Sequence, residues 1–315
     1  MYQFVLRRIL LSIPTLLIVS FLVFGMIRLD PDSVVAARLG EGADLHGPAA
    51  QAIRDDYGLD EPIYSEYFRW LGNTLQGDWG HSALSFKPVL KEMAPKIGVT
   101  LELSLIAVFF SVVIGVPIGV FSAMRQDRLP DYVLRTGAIL ALSVPGFYIA
   151  TVTIALTAYY FNWIPPVKYT SFSENPLKNV QQMLLPAFIL SLATAASVMR
   201  YSRTMMLDVL RQDYVRTAWA KGLRERVIIF RHALKNALLP VVTVLGLTMA
   251  ILVGGTVIFE QIFSLPGLGT YLVYSVAQKD FAPVQGVTLF FAIAVVIINL
   301  VVDLSYTVLD PRARR

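Results

Sequence analysis

Chemistry at a protein site needs a nucleophile with a base, a cluster of metal-binding side chains or a loop that grips phosphate, and this 315-residue chain offers few of them. Its three histidines, His46, His81 and His232, stand far apart in sequence, and there is no cysteine. A disulfide framework and a thiolate metal or redox site are therefore excluded. No G-x-x-x-x-G-K-S/T phosphate loop, H-E-x-x-H or G-x-S-x-G pattern occurs. Gly77-Asp78-Trp79-Gly80-His81-Ser82 reads as a tight turn, because glycine and aspartate serve turns directly and no base accompanies them. No catalytic residue, no metal ligand set and no cofactor bound by this chain is expected.

What remains is charge in unusual places. Glu102 and Asp303 lie at the ends of long apolar runs, and a charge at the centre of a bilayer costs about 2.5–3.5 kcal/mol. Both are candidates for a polar pathway or for structural pairing near the membrane surface, which long side chains reach by snorkelling. Glu260 and Asp280 flank the last two runs and are candidates for lining the same path.

The most distinctive stretch is mechanical rather than reactive. Asp213 to Pro240, DYVRTAWAKGLRERVIIFRHALKNALLP, is a basic, amphipathic interruption between apolar runs. Val215, Ala218 and Trp219 fall at i, i+3 and i+4, which predicts a short helix over Asp213 to Lys221. Gly222 ends it, as glycine does where the chain leaves a helix through a left-handed conformation. A second short helix is predicted over Leu223 to Leu234, with Leu223, Val227, Phe230 and Leu234 on its apolar stripe. Two short helices with a bend make a protruding knob. The same arginines would also serve to fix topology or to bind anionic headgroups.

The elements that must position this knob are membrane spans. The chain is 56% hydrophobic and only 16% charged, and a bilayer core about 30 Å thick takes roughly 17–25 apolar residues per helix. Six runs qualify: Ile9 to Ile27, Leu103 to Ala123, Thr136 to Phe161, Met183 to Met199, Ala237 to Phe259 and Val284 to Val302. Prolines 117, 145, 186 and 240 lie in or near them, tolerable because neighbours can satisfy the freed carbonyls. The fold class is an all-α polytopic membrane protein: six transmembrane helices, a cytoplasmic helix-turn-helix and a small extracytoplasmic domain after the first helix. Basic residues in short loops stay on the cytoplasmic side. Arg7, Arg8, Arg125, Arg128, Arg135, the nine Lys and Arg residues from Arg200 to Lys235, and Arg312, Arg314 and Arg315 therefore place both termini inside. The outer loops then hold Lys168, Lys178 and Lys279. The first run is too long for a signal-peptide core and is followed by Arg28-Leu29-Asp30 rather than small residues, so it reads as an uncleaved span.

The expected organisation is 1–29 for the N-terminal segment and first span, 30–100 for the extracytoplasmic segment, 101–309 for the remaining spans with the knob at 200–236, and 310–315 for a cytoplasmic tail. Tyr64, Tyr67, Phe68 and Leu71 have helical spacing, which predicts a folded outer segment rather than a linker.

Tyr214-Val215-Arg216-Thr217-Ala218-Trp219-Ala220-Lys221-Gly222-Leu223, followed by His232-Ala233-Leu234-Lys235-Asn236-Ala237-Leu238-Leu239-Pro240, resembles the cytoplasmic loop of ABC importer permeases. Importers in general write this loop E-A-A-x3-G-x9-I-x-L-P. Here Arg216-Thr217-Ala218 replaces E-A-A, a departure typical of the dipeptide, oligopeptide and nickel permease branch. The resemblance runs along most of the chain: Ile13-Pro14-Thr15, Gly58-Leu59-Asp60-Glu61-Pro62, the Gly77–Ser82 turn, Thr100-Leu101-Glu102-Leu103, Ser143-Val144-Pro145, Phe263-Ser264-Leu265-Pro266-Gly267-Leu268-Gly269, and Asn299, Asp303, Tyr306 and Asp310-Pro311-Arg312. Two departures stand out. Leu29-Asp30-Pro31-Asp32 replaces the usual P-G-D-P, and Trp219 stands where arginine is common.

The resemblance implies a permease subunit in a bacterial or archaeal inner membrane. Its implied partners are a second homologous permease, two cytoplasmic ATPase subunits carrying ATP-Mg, an extracytoplasmic binding protein and membrane lipid, with no nucleic acid. Arg216, Thr217, Ala218, Lys221, Gly222, Arg224 and Glu225 would lie in or beside the ATPase contact. Di- or oligopeptides are the implied cargo, with nickel or another small solute as the alternative. An ion-driven secondary carrier would show repeated halves and midplane carboxylates; the sequence displays neither clearly.

Overall fold

The computed structural model describes residues 2–40, 42, 44–56, 58–166 and 168–309, without the side chains of 2–5, 27, 29, 37, 56, 239, 251, 303 and 305–309. The expected tail at 310–315 and the Asp303 side chain thus lie outside the described residues. In chain order the elements are α1 (Tyr2–Gly25), a 3-10 turn (Met26–Leu29), α2 (Pro31–Leu39), α3 (Pro48–Asp56), α4 (Ile63–Leu75), α5 (Val89–Met124), α6 (Leu129–Ser143), α7 (Gly146–Phe161), α8 (Pro176–Leu210), α9 (Asp213–Ala220), α10 (Glu225–Val227), a π-helical turn (Ile228–Ala233), α11 (Leu234–Ile262), α12 (Leu268–Ala277) and α13 (Phe281–Leu309). No strand is present among the described residues.

Four helices are individually long and apolar enough to cross a membrane: α1, α5, α8 and α13. Two bent pairs bring the total to the six expected. The third expected span, Thr136 to Phe161, is not one helix: α6 and α7 meet at 94°. The cause is Pro145, which has no N–H to continue the ladder and holds the preceding Val144 extended, at φ −95° and ψ 124°. The second bend, 48°, lies at Pro240. Pro14 and Pro186 remain inside their helices. α5 starts at Val89, well before the expected Leu103; at 1.5 Å per residue it is about 54 Å long, well beyond the hydrocarbon thickness.

The chain divides into two compact units, one comprising Leu101–Leu265 and Ile298–Arg315, the other Tyr2–Thr100 and Pro266–Ile297. In the first, α8 is the central element. It approaches α5 where α5 carries Gly115 and Gly119, a small-x-x-x-small spacing that lets helix backbones come close. A Cβ on Gly115 would stand 2.7 Å from the Ala195 carbonyl oxygen, and one on Gly119 2.6 Å from that of Met199. Ser111 and Thr194 share a hydroxyl hydrogen bond across the same seam. α6 joins through Ala138, packed with Ala196 and Met199.

In the second unit, α4 lies on α1. Tyr67 is buried against Phe21 and Phe24, its hydroxyl 2.8 Å from Ser20 Oγ and 3.2 Å from the Leu17 carbonyl oxygen. Tyr64 and Phe68, predicted on the same stripe, are exposed. Asp30 caps α2 by accepting from the Ser33 amide at 3.1 Å, with Pro31 preorganising the first turn; this is what the Leu29–Asp32 departure builds. The outer segment is hydrogen-bonded to residues much later in the chain. Ser82 Oγ and the Ala83 amide donate to the buried Asp280 carboxylate at 2.5 and 2.9 Å, Tyr271 donates to Glu92 at 2.7 Å, and the Leu268 amide donates to Thr100 Oγ1 at 2.9 Å. Asp280, read from sequence as a path-lining candidate, is thus a structural acceptor. α12, which supplies two of these contacts, was not anticipated.

Candidate functional site

The knob begins where α8 ends. Gln212 breaks the helix and α9 starts at Asp213, as its spacing predicted. Val215 and Ala218 are buried against Val209, Leu210 and Ile228, so α9 is fastened to the end of α8 by a small apolar contact. Trp219, predicted on this inner face, is instead 48% exposed. Gly222 follows at φ +74°, its amide 2.9 Å from the Trp219 carbonyl oxygen, the left-handed exit that glycine adopts without penalty. Nothing stands within 4 Å of a Cβ built on Gly222.

The second short helix is the larger correction. Leu223 to Leu234 is not a separate helix: α10, the π turn and α11 form one helical run from Glu225 onward. Of the expected stripe, Leu223, Val227 and Phe230 face outward, whereas Leu234 is partly buried and packs with Ile229, Ala233 and Ala237; Ile228 is buried as well. Leu223 stands before the helical run and Val227 before the π turn, so the buried face is the one carried by Ile229, Ala233 and Ala237. Ile229, Ala233 and Ala237 pack on Val120, Ala123 and Met206. Tyr214 ties the two arms: Asn236 Nδ2 donates to its hydroxyl at 2.8 Å, and that hydroxyl donates to the His232 carbonyl at 3.4 Å.

Of the sequence-predicted contact residues, Arg216, Thr217, Lys221, Gly222, Arg224 and Glu225 are exposed on the knob, and Ala218 alone is buried within it. Arg216 sits 3.6 Å from Asp213 with both side chains largely in solvent, a pair worth no more than about 1 kcal/mol. Thr217 is held by its own helix, donating to the Asp213 carbonyl at 2.9 Å. Tyr214, Trp219 and Phe230 remain exposed at 44%, 48% and 62%. Aromatic exposure rimmed by charge is the signature of a protein-binding surface.

Behind the knob lies an ion pair that sequence reasoning missed. Asp131, fully buried near the start of α6, accepts from Arg203 Nε and Nη2 of α8 at 2.7 Å each, from Ser122 Oγ of α5 at 2.5 Å and from the Asp127 amide at 3.1 Å. The fork of two parallel bonds is the strongest geometry available to an arginine–carboxylate pair. One carboxylate therefore locks three helices together. The signal available in sequence was an acidic residue directly after Leu129-Pro130, at a helix N-terminus where carboxylates are favoured.

Glu102 is also paired. Its Oε2 accepts from Tyr169 at 3.2 Å and from Asn179 at 3.3 Å, the latter at the start of α8. Burial first, then the neighbouring Glu102 charge, pushes the Tyr169 hydroxyl up to about 12, so it remains a donor at neutral pH.

Residues 115–315 match the family described as binding-protein-dependent transport system inner membrane component, and residues 1–104 match its N-terminal companion. A putative peptide permease protein of Brucella ovis is 37% identical over 319 residues, covering 100% of this chain and 99% of that one. The glutathione transport system permease protein GsiC of Escherichia coli is 36% identical over 314 residues with the same coverage. Among solved structures, the MetNI methionine ABC transporter in inward facing conformations aligns at a TM-score of 0.56 with 18% identity, over 70% of this chain and 97% of that chain; this shows a shared fold. A match to the family model over most of the chain, with relatives above one-third identity along its whole length, settles the class: the chain belongs to the binding-protein-dependent transport system inner membrane components, a multi-pass permease subunit that works with ATPase and binding-protein components and is not an enzyme.

Proposed function

We propose that this permease forms half of the translocation path of an ATP-driven importer for di- or oligopeptides. The other half is a second homologous permease, and two cytoplasmic ATPase subunits hydrolyse ATP-Mg. An extracytoplasmic binding protein delivers the cargo, and the knob and both termini face the cytoplasm.

The observation that carries this reading is the knob: α9 is fixed to α8 by buried Val215 and Ala218 and presents Trp219 outward, with Phe230 of the second arm and a basic rim exposed beside it in the chain. Seated in an ATPase cleft, α9 would move as one piece with the end of α8. The Asp131–Arg203 fork then passes that movement to α6, and Ser122 passes it to α5. Peptide as cargo is supported by the full-length similarity to a putative peptide permease and a glutathione permease. The test is uptake of a labelled dipeptide by membrane vesicles holding the complete importer, with labelled nickel in a parallel arm. Peptide uptake that requires ATP and the binding protein supports the reading; accumulation of nickel alone contradicts the cargo.

A further inference from the structure

The second unit contains a cavity of about 350 Å³ that the coupling mechanism does not use. Two sequence motifs on either side of α4 meet at its wall: Leu59 from Gly58-Leu59-Asp60-Glu61-Pro62, and Asp78, Trp79, Gly80 and His81 from the Gly77–Ser82 turn. Three arginines, Arg28, Arg38 and Arg69, line it together with Glu66 and Asp78. Two of these groups are rigidly placed. Arg28 Nη2 donates to the Gly58 carbonyl at 2.5 Å, and its guanidinium lies 4.8 Å from the centre of the Phe24 ring. Glu66 is only 7% exposed and accepts from Arg69 at 2.5 Å. Burial holds the Arg28 pKa below the ordinary arginine value, the sign of a cation short of solvent.

We infer that this cavity is a binding site for a short zwitterionic peptide, its free carboxylate on Arg28 and Arg38 and its ammonium on Glu66 and Asp78. The volume is that of a small-ligand pocket. Arginine forks fit carboxylate and phosphate alike, but two acidic groups in the same wall repel a phosphate dianion and suit a molecule with both charges. The Trp70 and Trp79 rings offer an apolar face to side chains. Gly58 is essential to the wall. At φ +57°, with a built Cβ 2.3 Å from Glu66 Oε2, it leaves the room Glu66 occupies.

This inference rests on the peptide reading above, and the experiment separates the two. The complete importer, reconstituted in nanodiscs without its binding protein, is dialysed against radiolabelled alanyl-phenylalanine, with the C-terminal amide of that dipeptide and inorganic phosphate as competitors. Vesicle uptake of the same dipeptide is measured in parallel. Saturable binding is expected, with the amide competing at least about tenfold less well, because it forfeits charge-assisted hydrogen bonds. Arg28→Gln should weaken binding about tenfold or more. Asn73→Trp, a bulky change at an exposed position of the wall, should do the same while leaving the melting profile of the complex intact. Uptake without binding overturns the site and leaves the peptide reading standing; binding without uptake supports the site and overturns that reading for this cargo. Absence of both overturns both. Equal competition by the amide, or stronger competition by phosphate, also overturns the site.

Discussion

Asp131→Asn perturbs the clamp behind the knob with almost no change of shape. The native carboxylate accepts four hydrogen bonds, two of them the Arg203 fork. An asparagine offers one oxygen and turns an NH2 donor toward a guanidinium or the Ser122 hydroxyl. The accepted bonds fall to two at most, and Arg203, whose side chain is 16% exposed, is left without its counter-charge. Removing one partner of a buried pair costs about 3–5 kcal/mol, whereas replacing both by apolar residues of similar volume is often neutral or better. The single variant should therefore be several kcal/mol less stable, Arg203→Met similarly so, and Asp131→Leu with Arg203→Met should recover most of the loss. Ser122→Ala should cost about 1 kcal/mol. Stability is read by circular dichroism during detergent-induced unfolding of the purified permease, and the four-member cycle gives the coupling energy directly. The double variant should nevertheless lower peptide transported per ATP hydrolysed, since its apolar contact lacks the fork's fixed geometry. A coupling energy below about 0.5 kcal/mol would refute the clamp. A stable double variant with an unchanged transport ratio would refute its part in transmission.

Other perturbations follow from single contacts. Gly119→Val places a branched side chain where the Met199 carbonyl oxygen already stands 2.6 Å from a bare Cβ; overpacking of this kind costs about 1–3 kcal/mol, visible in the same unfolding assay, and a neutral result would remove the close α5–α8 contact. Tyr169 should ionise near 12 instead of 10, seen as a tyrosinate absorbance difference between the wild type and Tyr169→Phe. Because the folded value is raised, the stability this group contributes is fully present below pH 10 and is lost as pH rises through 12; titration at the ordinary value would mean that the hydroxyl is neither buried nor beside the Glu102 charge. Trp219→Ala removes a half-exposed ring that is not part of the buried Val215, Ala218 and Ile228 cluster. It should leave permease stability within about 0.5 kcal/mol and weaken ATPase affinity about tenfold or more, as truncation of a tryptophan anchor does, measured by co-purification at graded salt.

Much of this was legible because membrane spans and turns obey local rules. Pro145 was read as tolerable within one span, Thr136 to Phe161, yet α6 and α7 part there, and Gly146 follows where a Cβ would stand 3.2 Å from the Phe259 ring. Gly222 announced a left-handed exit and takes one. The inner face of the second knob arm was read incorrectly because Leu223 lies before the helical run that starts at Glu225, and burial falls instead on the Ile229, Ala233 and Ala237 stripe. Ala218 was grouped with the contact residues, yet it is needed inside the knob. The Asp131–Arg203 pair spans 72 positions, and nothing in either local pattern names the other; the Gly115/Gly119 spacing, by contrast, was readable and overlooked. The outer segment was legible as helical but not as bonded to α12 and Asp280, since Asp280 lies almost 200 residues from Ser82.

The central claim is that the knob is where ATPase motion enters this permease. Gly222 bears on it directly, because its Cβ direction is open within the chain, so a bulky substituent meets a partner before it meets the permease itself. The left-handed φ adds a local penalty of about 1–2 kcal/mol, which Gly222→Ala shares and so isolates. The measurement is affinity purification of the tagged permease from its native membrane, with mass spectrometry of the co-purifying subunits and ATP-dependent uptake by the same membranes. Recovery of a sister permease and ATPases with the wild type, near-normal recovery with Gly222→Ala, and loss of the ATPases and of uptake with Gly222→Trp is the predicted result. ATPases retained and uptake unchanged in Gly222→Trp would contradict it.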